Sequence, residues 1–323
     1  MTITIRNYDS RDLQAIITMI NANDAIEKIE DGTSMEEMQA ELESPDLNPE
    51  QNIFVGEDEN GKIVAYAWSR LHNEPAESTF RTWFVVHPDA RPSGLETRML
   101  DRLYHRANER LPECTNNQVS LHTIANLLER NRIAVVEQFG MWEIRRFWQM
   151  VRPLDAPIPE PQFLKGVILR AYRVKDDDEK MHAAHNEAFR DHFGHSESTP
   201  DRWVHYVNQP FFRPDLTIVA EDKATGEVAG YCAVIVNREE NKRIGIQRGW
   251  IDLLGVRRPW RKHGLGTALL LKGMHDFREA GLTQAALGCD SENPTGATRI
   301  YERVGFSIAK TRVAFRKPLR GAQ

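Results

Sequence analysis

The two halves of this 323-residue chain resemble each other, segment by segment. The matching segments occur in the same order, and most partners are separated by almost the same length of chain. Chance does not readily produce such constant spacing, so we predict an internal duplication rather than two unrelated α/β domains. The matched pairs are Ile3–Tyr8 with Val167–Tyr172, Phe54–Asp58 with Ile218–Asp222, Tyr66 with Tyr231, Gly140 with Gly305 and, at a slightly larger spacing, Val86–Gly94 with Val256–Gly264.

A proline-rich segment separates the two halves. Four prolines fall within the nine residues from Pro153 to Pro161. Proline removes backbone N–H donors and favours extended geometry, which is typical of a semi-rigid linker. We therefore predict a first domain over residues 1–151, a linker over 152–163 and a second domain over 164–323.

The composition predicts a soluble, globular, cytosolic protein. Hydrophobic residues make up 41% of the chain and charged residues 28%, and the formal net charge of -5 gives no general attraction to nucleic acid or anionic membranes. No apolar run approaches the length of a membrane span, and the first ten residues lack the pattern of a signal peptide. Cys114, Cys232 and Cys289 lack metal-ligand spacing and cannot form a disulfide framework. The sequence does not distinguish a monomer from a homodimer.

Each half has the same predicted order of elements. A strand is followed by one or two helices, a strand pair, a long strand, a helix, a strand, a helix and a last strand. This alternation predicts an α/β or α+β fold with a mixed sheet. In the second half the clearest elements are the strands Val228–Val236 and Trp250–Val256 and the helix Gly264–Ala280.

An anion-binding loop is predicted where the long strand of the second half meets its helix. The strand Leu253–Val256 runs into a short loop with two glycines, Gly264 and Gly266, and then into an apolar helix. Glycine permits close backbone approach, and the free N–H groups at a helix start bind anions. The loop lacks the Gly-Lys-Ser/Thr ending of a P-loop and the third glycine of the dinucleotide fingerprint.

Two motifs together resemble the GCN5-related N-acetyltransferases. The spacing Val256-x4-Arg261-x2-Gly264-x-Gly266 looks like the acyl-CoA pyrophosphate motif of that family. Downstream, the segment from Asn293 to Phe306, with Tyr301 and a Gly-Phe pair, resembles the second signature. The resemblance covers nearly the whole second half and, more weakly, the first. It implies a tandem fold of two domains, each with a mostly antiparallel twisted sheet flanked by helices.

The resemblance also implies roles for individual residues, with acetyl-CoA as co-substrate and no metal. A backbone N–H of the strand Leu254–Val256 would polarise the thioester carbonyl, Tyr301 would protonate the departing thiolate, and Asn293 would meet the pantetheine or fix the following loop. Side-chain charge from Arg261 and Lys262 would add to the helix dipole at the pyrophosphate. The residues that would contact the coenzyme through their backbone are Leu254, Gly255, Val256, Arg261, Lys262, His263, Gly264, Leu265, Gly266 and Thr267.

Each of these roles has a simpler alternative. Tyr301 could be a core residue, although the surrounding motif favours the acid role. The basic cluster Arg257–His263 could be a nucleic-acid patch, but one local cluster on an acidic chain favours a phosphate site for CoA. Cys289 is better interpreted as a small buried residue than as an acyl carrier.

The general base and the acceptor pocket are less sharply defined. Asp252 is a carboxylate within an apolar strand and shares parity with Leu254, so it is either the base or a hydrogen-bonded loop anchor. Histidines offer a rival base, and no metal-binding pattern is present among them. We expect the stretch that contains them to line the acceptor pocket, with a solvated helix face as the alternative. The histidines are His182, His185, His192 and His195, and the aromatic residues are Phe189, Phe193 and Trp203.

The first half is predicted to be a degenerate copy. Glu96 replaces the second glycine of the loop and brings negative charge toward a diphosphate, and Pro92 removes one N–H. Val136 occupies the place of Tyr301. We therefore predict that the first half does not catalyse acyl transfer. It could still retain a vestigial CoA site, shape the acceptor pocket or stabilise the second half.

Two classes of function follow. The favoured one is an acetyl-CoA-dependent N-acetyltransferase whose second half transfers an acetyl group to a primary amine, with a small molecule as the expected acceptor, by direct attack in a ternary complex. The alternative is a non-catalytic acyl-CoA-binding or regulatory module. Acetylation of a protein N-terminus or lysine is a third possibility. The acceptor and the acyl-chain length are not encoded in any recognisable motif.

Overall fold

A computed structural model describes residues 2–193, 197–293 and 296–320. It contains twelve strands and ten α-helices within those ranges. The strands are β1 (Ile3–Asn7), β2 (Ile53–Asp58), β3 (Ile63–Asn73), β4 (Ser78–Val86), β5 (Val119–Asn126), β6 (Trp142–Pro153), β7 (Val167–Ala171), β8 (Ile218–Asp222), β9 (Val228–Ile235), β10 (Arg248–Val256), β11 (Gln284–Asp290) and β12 (Ser307–Arg320). The helices are α1 (Leu13–Glu27), α2 (Met35–Leu42), α3 (Pro49–Asn52), α4 (Leu95–Glu109), α5 (Arg130–Gln138), α6 (Asp178–Phe189), α7 (Pro200–Val207), α8 (Arg238–Ile244), α9 (Leu265–Glu279) and α10 (Ala297–Arg303).

The chain divides into two compact units. Unit 1 comprises Met1–Arg146 and Thr311–Gln323, and unit 2 comprises Phe147–Lys310. Unit 1 has the strand order β1-β2-β3-β4-β5-β12, and unit 2 has the order β6-β11-β10-β9-β8-β7. Among the strands described in unit 1 only β4 and β5 pair in parallel, and among those in unit 2 only β10 and β11 do. This confirms the predicted fold class, a mixed, mostly antiparallel sheet flanked by helices.

In each unit, one edge strand comes from the C-terminal end of the other half of the sequence. In unit 1, β5 pairs with the segment of β12 from Arg312 to Arg320. In unit 2, β11 pairs with the segment of β6 from Phe147 to Pro153. The structural units therefore differ from the boundaries 1–151 and 164–323, which keep each edge strand with its own half. The reason is that duplicated sheets offer similar edges, so the sequence does not specify which copy a strand joins.

The proline-rich segment packs onto unit 2. Leu154 and Ile158 are buried in the same hydrophobic cluster as helix α9. The Arg152 guanidinium donates to the carbonyl of Pro157 at 2.8 Å, which fixes the bend that follows β6. The segment predicted as a linker is therefore part of a folded unit, because its apolar residues have a core to enter.

An arginine fork links the first strand of each unit to the start of its first helical segment. In unit 1, Arg6 donates two hydrogen bonds to Asp12, at 2.7 and 2.8 Å. In unit 2, Arg170 donates two to Asp177, at 2.6 and 2.8 Å. Both aspartates are buried, so each needs its bidentate partner. The same contact at matching positions is structural support for the duplication.

A reciprocal asparagine contact also recurs. The Asn21 side chain donates to the Thr33 carbonyl and accepts from the Thr33 N–H, both at 2.8 Å. Asn186 makes the same two bonds with Ser198, at 3.1 and 2.9 Å. Each contact fixes the loop between the first two long helices of its unit.

Helices cover the sheets through apolar faces. In unit 2, α9 buries Leu269, Leu270, Met274 and Phe277 against strands β9–β11. In unit 1, α4 buries Leu95, Met99, Leu100 and Leu103 in the same way. Among the helices that the structure describes, none is long and apolar enough to cross a membrane.

Candidate active site

Strands β10 and β11 of unit 2 separate part-way along their length. They pair in parallel from Arg248 and Gln284 as far as Ile251 and Leu287. Beyond that point β10 is paired with β9 as far as Val256, and β11 with β6 as far as Asp290. The facing edges therefore have no ladder partner within the described residues. An edge of this kind can pair with an extended, amide-containing chain.

Asp252 is an extra residue at the point where the strands separate. Ile251 pairs with Val234 and Leu253 with Ala233, so Asp252 forms a β-bulge with no partner on β9. A bulge bends its strand and redirects a side chain, and bulges are common beside active sites. Asp252 lies within the long strand, as predicted, and the strand pattern did not show the backbone irregularity that accompanies it.

The Asp252 carboxyl lies in surroundings that disfavour its charge. The residue is exposed to solvent. The protein around it nevertheless raises its pKa by desolvation, and the interaction with the Tyr206 hydroxyl opposes that rise. Solvent exposure together with a raised pKa is the combination expected of a group in a cleft.

The Tyr206 hydroxyl on α7 points to the same place. Desolvation raises the pKa of Tyr206, and the charge of Asp252 raises it further. The hydroxyl is buried and has no hydrogen-bond partner of standard geometry among the described residues. Sequence reasoning missed Tyr206, since a tyrosine on an amphipathic helix carries no local signal of function.

Tyr301 lies beside the opening between β10 and β11. It is buried on α10, and its ring contacts Phe306 with centroids 6.3 Å apart. Desolvation raises the pKa of its hydroxyl, and the nearby Cys289 and Cys232 thiols add to the effect. Cys289 is on β11 beyond the last β10 partner, and Cys232 is paired with Leu254. Because its pKa is raised, the Tyr301 hydroxyl remains protonated at neutral pH. No described residue hydrogen-bonds to it, so it is available as a donor.

The two buried cysteines of unit 2 are not activated nucleophiles. Desolvation raises the pKa of Cys289 to about 11 and that of Cys232 to about 12. The Cys289 Sγ lies 3.7 Å from the sulfur of Met150. A thiol that stays protonated is a poor nucleophile, so this geometry favours the structural role for Cys289.

The loop after β10 presents free backbone N–H groups. Gly264 is in the left-handed region, with φ 82°, and is the N-cap of α9. The Ala268 N–H donates to the Gly264 carbonyl at 3.0 Å, whereas the N–H groups of Leu265–Thr267 precede the first intrahelical bonds. Lys262, His263 and Gly264 are exposed. The predicted anion-binding loop therefore has the backbone geometry that it requires.

The Arg261 side chain is directed at the protein and not at the open side of the loop. Its Nε donates to the Val256 carbonyl at 3.0 Å, and a terminal nitrogen donates to the Ala188 carbonyl at 2.9 Å. It also pairs with Asp191 at 3.3 Å. The expected side-chain charge at the pyrophosphate is thus left to Lys262, and the geometry assigns the Arg261 side chain to holding the loop against α6.

The other two arginines of the basic cluster are paired with acidic residues. Arg257 donates to Glu187 at 2.7 Å, and Arg258 donates to Asp191 at 2.8 Å. These pairs reduce the positive potential that a nucleic-acid patch would need, which favours the phosphate-site interpretation.

Aromatic and histidine side chains pack on the helical side of β9 and β10. The Tyr231 hydroxyl and His185 Nδ1 are 2.9 Å apart, and the His185 ring lies 4.7 Å from Phe189 and 5.4 Å from Trp203 between centroids. His192 continues the row, 4.4 Å from Phe189. Phe189 and His192 are partly exposed and form the accessible face of this aromatic row. Trp203 is only 3% exposed, so it packs beneath that face.

The other histidines are placed differently. His182 contacts the Ser198 carbonyl and so fixes the loop before α7. His195 lies outside the described residues. Within the described residues, no group of three His, Cys, Asp or Glu side chains could hold a metal ion.

Comparison with known proteins decides the family. The profile of the acetyltransferase (GNAT) family matches residues 19–141 and 179–306. The chain belongs to this family. As a GNAT protein of the tandem type it is similar to mycothiol synthase, which confirms the resemblance found in the sequence.

Individual relatives agree with this assignment. The chain is 32% identical to the mycothiol acetyltransferase of Thermobispora bispora over 72% of this chain and 74% of the relative. It is 25% identical to that of Saccharopolyspora erythraea over 83% and 86%. A GCN5-related N-acetyltransferase from Sphaerobacter thermophilus superposes with a TM-score of 0.76 and 26% identity, covering 99% and 97%. A tandem GNAT protein from the clavulanic acid biosynthesis pathway, at 16% identity, shares the fold with a TM-score of 0.71 over the full length of both chains.

The second GNAT signature begins where β11 ends. The Asn293 N–H donates to the Asp290 carbonyl at 3.2 Å, and the Asn293 carbonyl accepts from Gly296 at 3.2 Å, which forms the turn toward α10. Pro294 and Thr295 lie outside the described residues. Gly305 has φ 93°, and a Cβ there would lie 2.9 Å from the Arg152 Nε, so the Gly-Phe pair requires glycine. The role of Asn293 toward pantetheine stays a prediction.

The bulge at Asp252 has no counterpart in unit 1. The last parallel pair involves Thr82 in unit 1 and Ile251 in unit 2, so these two residues correspond. The next paired residues are Trp83 and Leu253. Thr82 and Trp83 adjoin, whereas Ile251 and Leu253 have Asp252 between them.

Proposed function

We propose that this protein is an acetyl-CoA-dependent N-acetyltransferase and that unit 2 transfers the acetyl group to the primary amine of a small molecule. The observation that carries the proposal is the opening between β10 and β11, with the bulged Asp252 at its start and Tyr301 beside it. A small-molecule acceptor is supported by the relatives, which are named mycothiol acetyltransferases.

The residues of unit 2 suit an acyl-CoA. The free edge of Leu254–Val256 would pair with the amides of the pantetheine arm, as an added strand does. The N–H groups of Leu265–Thr267, at the positive end of α9, would hold the diphosphate, with the exposed Lys262 nearby. When bound, the coenzyme supplies a thioester whose carbonyl carbon accepts the amine nitrogen.

Helix α10 would supply the general acid, and strand β10 would supply the hydrogen-bond donor for the carbonyl oxygen. As the C–S bond breaks, the Tyr301 hydroxyl donates its proton to the leaving sulfur and is later reprotonated from solvent. An N–H on the free edge of β10 donates to the carbonyl oxygen, where negative charge develops. Both groups belong to regular secondary structure, since the N–H lies on a strand of the sheet and Tyr301 is the buried residue of α10.

Asp252 is our candidate for the base. The amine nitrogen loses a proton as the new C–N bond forms, and a carboxylate with a raised pKa accepts that proton, directly or through water, more readily than an ordinary one. Its place at the bulge, close to the edge that would hold the thioester, favours it over the histidines. His185, the rival nearest the site, is engaged with Tyr231.

The acceptor would approach from the aromatic side. We propose that Phe189 and His192 form its exposed wall and that Trp203 fixes that wall from behind. Their ring contacts make a partly apolar surface beside the carboxylate, which suits an amine attached to a bulky group.

Thiol release from acetyl-CoA in the presence of an amine panel tests the proposal. Tyr301→Phe should lower kcat by about 100-fold or more, since a positioned acid contributes about 10² to 10⁴. Tyr104→Phe, which removes a hydroxyl from unit 1, is the matched control and should retain activity. CoA binding without acetylation of any amine, with no effect of Tyr301→Phe, would instead indicate a binding module. Acetylated proteins detected by mass spectrometry of a cell extract, without a small-molecule product, would indicate protein acetylation.

A further inference from the structure

Unit 1 has an opening that corresponds to the one in unit 2. Strands β4 and β5 pair in parallel from Ser78 and Val119 as far as Thr82 and Thr123. Beyond that point β4 runs on to Val86 and β5 to Asn126, each paired only on its other side within the described residues. On strand geometry alone, unit 1 could therefore accept a second pantetheine arm.

The side chain of Arg132 occupies this opening. Its guanidinium lies over the Phe84 ring at 4.8 Å and the Trp83 ring at 5.3 Å, both on β4 beyond the last pair. A terminal nitrogen donates to the Ile124 carbonyl on β5 at 2.5 Å. The residue is 4% exposed. One buried side chain thus contacts both separated strands.

Glu129 completes the contact at the end of β5. Its carboxylate accepts from the Arg132 guanidinium at 3.2 Å and from the Asn126 N–H at 2.7 Å. Glu129 is itself buried, so the two charges neutralise each other in the interior. In unit 2 the position that corresponds to Arg132, by the spacing that relates Gly140 to Gly305, is Ala297, whose side chain is too short to reach across the opening.

The loop that corresponds to the diphosphate site carries a negative charge of its own. Glu96, in the first turn of α4, is 7% exposed and stands where unit 2 has Gly266. Its carboxylate is 3.5 Å from the Arg91 Nε, and Arg91 is also paired with Glu27 at 2.5 Å. An acidic side chain at a helix N-terminus provides the negative charge that an anion would otherwise supply.

We propose that unit 1 contains an internal substitute for the coenzyme, with Glu96 in place of the diphosphate and Arg132 in place of the pantetheine arm. The protein then binds one acyl-CoA per chain, in unit 2 alone. The inference rests on the proposed function for the identity of the ligand of unit 2. A diphosphate entering unit 1 would meet three carboxylates, those of Glu27, Glu96 and Glu129. Only two arginines, Arg91 and Arg132, are paired with them, so the charge of the group opposes a further anion.

Calorimetry with CoA on the full chain counts the sites. We expect the parent protein to bind one equivalent of CoA per chain. Gly266→Glu, which introduces in unit 2 the acidic residue that unit 1 has at Glu96, should bind none. The Gly266 Cβ position is 3.5 Å from its nearest neighbour, so a side chain fits without strain. Two equivalents in the parent, or one that persists in Gly266→Glu, would overturn the inference. No binding in the parent would instead contradict the proposed function, so the two failures are distinguishable.

A gain-of-site variant tests the two side chains directly. Glu96→Gly combined with Arg132→Ala should raise the stoichiometry from one equivalent to two. Arg130→Ala, an exposed arginine on the same helix, is the control and should leave it at one. A folded double variant that still binds one equivalent would contradict the assignment of Glu96 and Arg132. If the double variant does not fold, the parent and Gly266→Glu still decide the inference.

Discussion

Unit 1 and unit 2 share a fold but differ in the side chains between the first helices and the sheet. Unit 2 has His185 and Trp203 in this layer, with the histidine bonded to a buried tyrosine. By the spacing that relates Tyr66 to Tyr231, their counterparts in unit 1 are Ile20 and Met38, which belong to a mostly aliphatic cluster that also contains Tyr66. The sheet and its helices do not require a histidine and a tryptophan at these two positions, since unit 1 has Ile20 and Met38 there. Comparison of the two units therefore distinguishes residues that the fold requires from residues that only unit 2 has.

The same comparison isolates the groups that would carry the reaction. Asp252 is an inserted residue in unit 2, and Tyr301 has Val136 as its counterpart in unit 1. Contacts that stabilise each unit are retained around them. One example is the arginine whose Nε donates to the carbonyl at the end of the long strand, which is Arg91 in unit 1 and Arg261 in unit 2. The residues proposed to carry the reaction therefore differ between the two units, whereas the residues that stabilise each unit are shared.

Deletion of Asp252 would give unit 2 the strand register of unit 1, and it should have the largest effect. We expect kcat to fall by about 1,000-fold, because both the base and the bulge that positions it are lost. Asp252→Asn keeps the bulge and should cost about 100-fold. A deletion variant that melts cooperatively, binds CoA and still acetylates at close to the parent rate would remove Asp252 from the mechanism.

The shared arginine forks should be equally important to both units. Arg6→Ala and Arg170→Ala each remove the bidentate partner of a buried aspartate, so each should lower the free energy of unfolding by about 3 kcal/mol. Denaturant titration measures the loss, and Lys242→Ala, which breaks an exposed pair, should change it by about 0.5 kcal/mol or less. A large loss in one unit only would show that the repeat is not structurally equivalent at this contact.

The smallest expected effect is that of Tyr206→Phe on the pH dependence. The Tyr206 hydroxyl lowers the pKa of Asp252, so its removal raises that pKa further. A base must be deprotonated to act, and kcat/KM rises as pH increases through its pKa. The acid limb of the profile should therefore move to higher pH, with a several-fold loss on that limb and little change on the alkaline side. An unchanged acid limb would mean that Tyr206 does not act on the base.

The duplication, the mixed sheet and the glycine-containing loop before α9 could be predicted from the sequence because each depends on local pattern or on spacing. Anion binding by that loop stays a prediction. The sequence did not predict the exchange of the edge strands β6 and β12, since identical pairing is available in either copy. The bulge at Asp252 becomes visible when strand registers are compared. The Arg261 side chain was assigned to the wrong surroundings for a similar reason, since Asp191 and the Ala188 carbonyl come close to it only in the folded unit.

A crystal structure of the full chain with CoA tests the central claim most directly. We expect one coenzyme, its pantetheine arm between β10 and β11 and its diphosphate on the N–H groups of Leu265–Thr267, while Arg132 stays between β4 and β5. A coenzyme lodged in unit 1, or one bound to unit 2 away from the β10–β11 opening, would contradict the account.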